Sequence, residues 1–187
     1  MGTMDAQTAN LLVGMVLVAL IAMAGWYAYQ RKQSHRLEQQ FGAEYSRTVD
    51  ELGSRQKAEA ELRQREKRVE KFHIVPLTPD DAARFNQTWK GLQARFVDDP
   101  KVALAQADRT VRELMQRRGY PMGDFDRRAA DISVDHPAVV ENYRCAQEIA
   151  QRDLRGEANT EDLRRAVVHY RALFNELLEV SDDNRVA

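Results

Sequence analysis

Four aspartates and one histidine fall within residues 119–137, GYPMGDFDRRAADISVDHP: Asp124, Asp126, Asp131, Asp135 and His136. Carboxylates beside an imidazole can bind a metal or relay protons. Asp131, Asp135 and His136 are the group on which a metal-binding or hydrolytic domain would centre. The spacing lacks the patterns that make such chemistry specific. There is no H-E-x-x-H, no E-x-x-H and no D-x-D-x-D-G calcium loop. Asp124 and Asp126 share a side only in an extended segment.

The same stretch also reads as a corner between helices. Gly119 ends one helix, and Tyr120-Pro121 forces an extended dipeptide. Gly123 or Asp124 opens a short helix; Asp135 or His136 caps the next, with Pro137 just inside it. Arg127 and Arg128 would pair with the local aspartates at small gain. On this reading Tyr120, Asp124, Asp126, Arg127, Arg128, Asp131, Asp135 and His136 make a corner open to a protein partner. No catalytic residue, cofactor or metal is then expected. His73 and His169 are isolated, Cys145 is the only cysteine, and there is no glycine-rich phosphate loop.

The elements that would hold this corner are helical. Thr78 caps and Pro79 starts a pattern carrying Ala82, Phe85, Trp89, Leu92 and Phe96 at alternating steps of three and four, one apolar helix face. Asp99-Pro100 opens a second, with Leu104, Ala107, Val111 and Leu114. A short helix carries Phe125, Ala129 and Ile132. A third pattern runs from Pro137 to about Leu154, with Val139, Val140, Tyr143, Ala146, Ile149 and Ala150 inward. The fourth is capped by Asn159 or Thr160 and bears Leu163, Val167, Tyr170, Leu173, Phe174 and Leu177. No stretch alternates with period two for the length of a strand. The class is all-α, and short loops favour antiparallel neighbours. The bundle is expected over residues 73–187.

Upstream, residues 33–72 contain no proline. Leu37, Phe41, Tyr45, Val49 and Leu52 lie on one helix face; Ala58, Leu62, Val69 and Phe72 continue it thinly. Glu51–Arg55, Glu59–Arg63 and Glu61–Arg65 are i,i+4 pairs, and Gly42 and Gly53 invite bends. Residues 31–72 thus read as a long charged helical arm, a solvated stalk or half of a coiled coil.

Residues 11–29, LLVGMVLVALIAMAGWYAY, carry no charge. As a helix they reach about 28 Å, near the thickness of a bilayer's hydrocarbon core. Trp26, Tyr27 and Tyr29 gather at one end, where aromatic rings favour the headgroup layer. Arg31, Lys32 and Arg36 follow, and Asp5 is the only charge before them. Residues 11–30 read as a single transmembrane helix, with a short extracytoplasmic stretch at 1–10 and everything after Arg31 in the cytoplasm. The alternative is a secretory signal cut at AMAG, residues 22–25, although the positive n-region is missing. Residues 31–72 hold eleven basic and eight acidic side chains, residues 73–187 seventeen and twenty. The positive excess therefore lies beside the apolar segment, where it would meet anionic headgroups. A formal net charge of −1 gives no overall field for nucleic acid.

Taken together, FGAEYSRTVDELGSRQKAEAELRQREKRVEKFHI, ARFVDDP, RGYPMGDFDRRAADISVDHPAVVENYR and RALFNELL resemble a family of uncharacterised bacterial proteins with one N-terminal transmembrane helix, described only as membrane or secreted proteins. The resemblance covers residues 40–178. It implies a bacterial cell-envelope setting and carries no activity, cofactor or catalytic residue. The expectation is a membrane-tethered helical adaptor that meets the bilayer and, through its arm or bundle, another protein. An exported envelope protein is the alternative.

Overall fold

The structure, a computed structural model, describes the backbone of residues 6–178 and the side chains of residues 14–178. Residues 1–5 of the expected extracytoplasmic stretch, 1–10, and the side chains of residues 6–13 lie outside the described residues. Among the described residues the secondary structure is eight helices with no strand: α1 (Ala6–Phe41), α2 (Ala43–Leu52), α3 (Arg55–Val69), α4 (Pro79–Arg95), α5 (Pro100–Arg117), α6 (Phe125–Asp135), α7 (Pro137–Leu154) and α8 (Thr160–Leu177). The all-α class read from the sequence holds. The chain divides into two compact units between Gln40 and Phe41.

The first unit is α1 up to Gln40. Met15, Val16, Leu17, Val18, Leu20, Ile21, Met23, Trp26, Tyr27 and Tyr29 are each 54–71 % exposed. At about 100° per residue these positions surround the helix. Among the described residues, no helix is long and apolar enough to cross a membrane. Arg31, Lys32 and Arg36 are exposed.

The second unit contains α2 to α8. Its core is built from the apolar stripes: Phe85, Trp89 and Leu92 of α4; Leu104, Val111, Leu114 and Met115 of α5; Val140, Tyr143 and Ala146 of α7; Leu163, Tyr170, Leu173, Phe174 and Leu177 of α8. Helix α8 packs on both α7 and α5, and α4 covers α5. Trp89 stacks on Phe174 with ring centroids 4.5 Å apart, a contact worth about 0.5–1.5 kcal/mol beyond burial. Helices α4 and α5 run antiparallel, as do α7 and α8, where Asn142 bonds His169 a few turns from the loop. Asp81 at the start of α4 bonds Arg117 at the end of α5, and Arg152 near the end of α7 bonds Asp162 at the start of α8. The expected starts are present: Thr78, Asp99, Asp124 and Asn159 each accept a backbone N–H from three residues on, and Asn159 and Asp162 form a capping box.

The second unit begins at Phe41 rather than at residue 73. Residues 41–72 are not a free stalk: α2 and α3 pack on each other, α3 on α6, and α2 on α7. The arm is broken at Gly42 and Gly53, with φ of 51° and 63°. The second break removes the expected Glu51–Arg55 pair. Glu51 instead meets Arg47, one turn earlier on α2, and Arg55 meets Glu59 at 3.2 Å on α3. Glu59–Arg63 (3.7 Å) and Glu61–Arg65 (3.1 Å) form as read.

Candidate functional site

The corner begins where α5 stops. Tyr120 N–H donates to Met115 C=O (3.0 Å) and Gly119 N–H to Gln116 C=O (3.0 Å), the double closure of a Schellman motif. Gly119 has φ of +96°, and a Cβ placed on it would stand 2.2 Å from the His73 carbonyl oxygen. Val75 N–H donates to Arg118 C=O at 2.9 Å, so the 73–75 strip lies directly on the α5 terminus.

From this turn the chain delivers Tyr120 inward, 3 % exposed. Its hydroxyl donates to Asp135 Oδ2 at 2.8 Å. Burial, with the nearby Asp135 carboxylate, raises the Tyr120 pKa well above the ordinary phenol range. Asp124 caps α6; Asp126 and Arg127 are exposed. Arg128 does not take a local aspartate as expected. It donates to the Tyr143 hydroxyl (3.1 Å) and to the Gly123 carbonyl. Asp131 is buried, 1 % exposed, and accepts from Arg68 Nε of α3 at 2.7 Å. His136 is buried as well, its Nδ1 3.1 Å from Glu176 Oε1 of α8. Of the eight corner residues the structure brings Tyr120 and Asp135 together, with Asp131 close enough to act on the phenol, while Arg128 and His136 take partners elsewhere. Tyr120, Asp131 and His136 face three different partners inside the fold. Among the described residues no group of three His, Cys, Asp or Glu stands close enough to hold a metal ion.

Sequence reading missed the charges that tie the arm to the bundle. Glu44 of α2, with 1 % of its side chain exposed, accepts from Arg65 Nη1 of α3 (2.9 Å) and Arg144 Nη2 of α7 (2.8 Å) on the same oxygen. Its other oxygen has no hydrogen-bond partner, and Arg47 stands 3.7 Å away. The signal was in the spacing. Glu44 shares the buried face of α2 with Tyr45 and Thr48, and Arg65 fills the gap between Leu62 and Val69 on that of α3.

Within the bundle, Asp81 ties α4 to α5 with a consequence for pH. Hydrogen bonds from Arg117, with Arg84 close by, hold its carboxyl below the usual carboxylate range. A depressed folded-state pKa stabilises the fold above the unfolded value of about 3.9, and that contribution is lost as pH falls through the folded value. Asp81→Asn is expected to lower the thermal midpoint at pH 7, and the gap from wild type should narrow at pH 3. A gap that stays constant with pH would contradict the ion-pair assignment.

Cys145 is half-buried. Burial first, then Glu141, raises its thiol pKa, so the thiolate nucleophile is scarce at neutral pH. Two open grooves along α4 and α5, of about 500 and 510 Å³, are lined by Arg84, Phe85, Thr88, Glu113 and Arg117, and by Arg95, Val102, Arg109 and Thr110 among others. Neither contains a corner residue. Among the described residues these charges join one helix to another. No family model, curated protein or solved structure matches the chain.

Proposed function

We propose that the chain is a single-pass membrane-anchored helical interaction protein without catalytic activity of its own, residues 11–30 of α1 crossing the bilayer and the α2–α8 unit in the cytoplasm. The observation that carries this reading is the apolar surface of α1: ten large apolar or aromatic side chains from Met15 to Tyr29, each more than half exposed. Water-soluble proteins rarely expose contiguous apolar surface on this scale. In sequence, Leu11, Leu12 and Val13 lengthen the run, and the exposed Trp26, Tyr27, Tyr29, Arg31, Lys32 and Arg36 supply an interface belt and the cytoplasmic positive charge. Nothing comparable supports an enzyme, because the carboxylates with the best chemistry already serve as structural partners.

The test is fractionation of the full chain expressed in bacteria. The expected result is retention in membranes through an alkaline carbonate wash, with a fluorescent reporter fused after Ala187 active in the cytoplasm. Release by carbonate would contradict anchoring. Mature chains beginning at Gly25 would instead establish the exported form.

A further inference from the structure

We propose that the outer face of α3 docks on anionic lipid headgroups, an inference that rests on the membrane reading above. The acids and bases of this helix are segregated around its axis. From Arg63 on one side to Arg68 on the other, an arc of about 140° carries Lys57, Lys67 and Lys71 and no carboxylate. Lys71 sits in the turn that closes the helix, its N–H donating to Arg68 C=O at 3.2 Å. All three lysines are exposed, and among the described residues none forms an ion pair. Lys67 lies in the last turn of α3 and Lys71 just beyond its end, where positive charge also suits the helix dipole.

The opposite face is fixed. Ala58, Leu62, Arg65 and Val69 are buried, and Arg65–Glu44 and Arg68–Asp131 hold the helix to α2 and α6. The three amines thus ride on a rigid platform, Lys57 to Lys71 spanning about 21 Å. Repeated phosphates on a plane match such a row, and each lysine near an anionic surface adds to the attraction. A bilayer is also the polyanion close at hand: the compact unit begins at Phe41, only twelve residues after Tyr29, which keeps the local lipid concentration high.

The test uses the full chain in lipid nanodiscs, of phosphatidylcholine alone or with phosphatidylglycerol, and reads the acetylation rate of each lysine by mass spectrometry. Lys90, exposed on α4, is the internal control. In anionic discs Lys57, Lys67 and Lys71 are expected to react about fivefold more slowly than in neutral discs, Lys90 should be unchanged, and 1 M salt should abolish the difference. Incorporation into both discs with equal rates at the three lysines overturns the docking face and leaves the anchor standing. Failure to enter either disc overturns the anchor, and the docking face with it.

Discussion

Glu44→Ala is expected to remove about 3–5 kcal/mol from the stability of the α2–α8 unit, the cost of stranding a buried charge's partners. The carboxylate is the common acceptor for Arg65 and Arg144, whose side chains are only 8 % and 13 % exposed. Alanine leaves Arg144 without its carboxylate and Arg65 with Glu61 alone, two guanidiniums that Glu44 no longer bridges. Their mutual repulsion acts at low effective dielectric, where Coulomb terms are several times those in water. Glu44→Gln keeps an acceptor oxygen but not the charge, and should fall between alanine and wild type. Replacing all three residues by methionine should recover most of the loss, because an apolar core of similar volume needs no counter-charge. Urea unfolding followed by tryptophan fluorescence measures each variant. If residues 41–72 were a solvated stalk, Glu44→Ala would shift stability by no more than about 0.5 kcal/mol, so the experiment also decides where the folded unit begins.

Gly119→Ala is the second large effect, about 2–4 kcal/mol. Two costs combine at this residue. The backbone at φ of +96° is strained for any side chain, and the new methyl would fall 2.2 Å from the His73 carbonyl oxygen. That oxygen belongs to a strip already pinned by the Val75–Arg118 hydrogen bond, so relief means separating the strip from the α5 terminus. Gly156 is the natural control. It closes α7 with the same pair of hydrogen bonds, Glu157 N–H to Arg152 C=O and Gly156 N–H to Asp153 C=O, at φ of +73°, but a Cβ there meets nothing within 4 Å. Gly156→Ala should therefore cost only the conformational part, about 1–2 kcal/mol. Equal losses at the two glycines would show that the approach of His73 has no energetic weight.

These residues also show what could be read from the chain alone. The caps at Thr78, Asp99, Asp124 and Asn159 and the stripes of α4, α5, α7 and α8 were legible because they depend on neighbours three and four positions away, and local spacing encodes them. The helix breaks at Gly42 and Gly53 were legible for the same reason. The packing of α2 and α3 was not, because it turns on charges. An apolar line that is thin at Arg65 looks like a solvated face until Glu44, 21 positions earlier, and Arg144, 100 positions from Glu44, are brought to it. The corner at 119–137 misled in the opposite direction. Its aspartates are close in sequence, yet Asp131 reaches 63 positions back to Arg68 while Asp135 turns to Tyr120. Proximity along the chain said little about which carboxylates would meet.

The central claim is that residues 11–30 of α1 lie in a bilayer, and Trp26 reports on it directly. The chain has two tryptophans; Trp89 is buried in the core, so Trp89→Phe leaves Trp26 as the single probe. The full-length variant would be reconstituted in vesicles whose lipids carry bromine at a shallow or a deep acyl position. Strong quenching by shallow bromines and weaker quenching by deep ones is predicted, as for a ring at the headgroup boundary. Emission that no brominated lipid quenches would contradict the account.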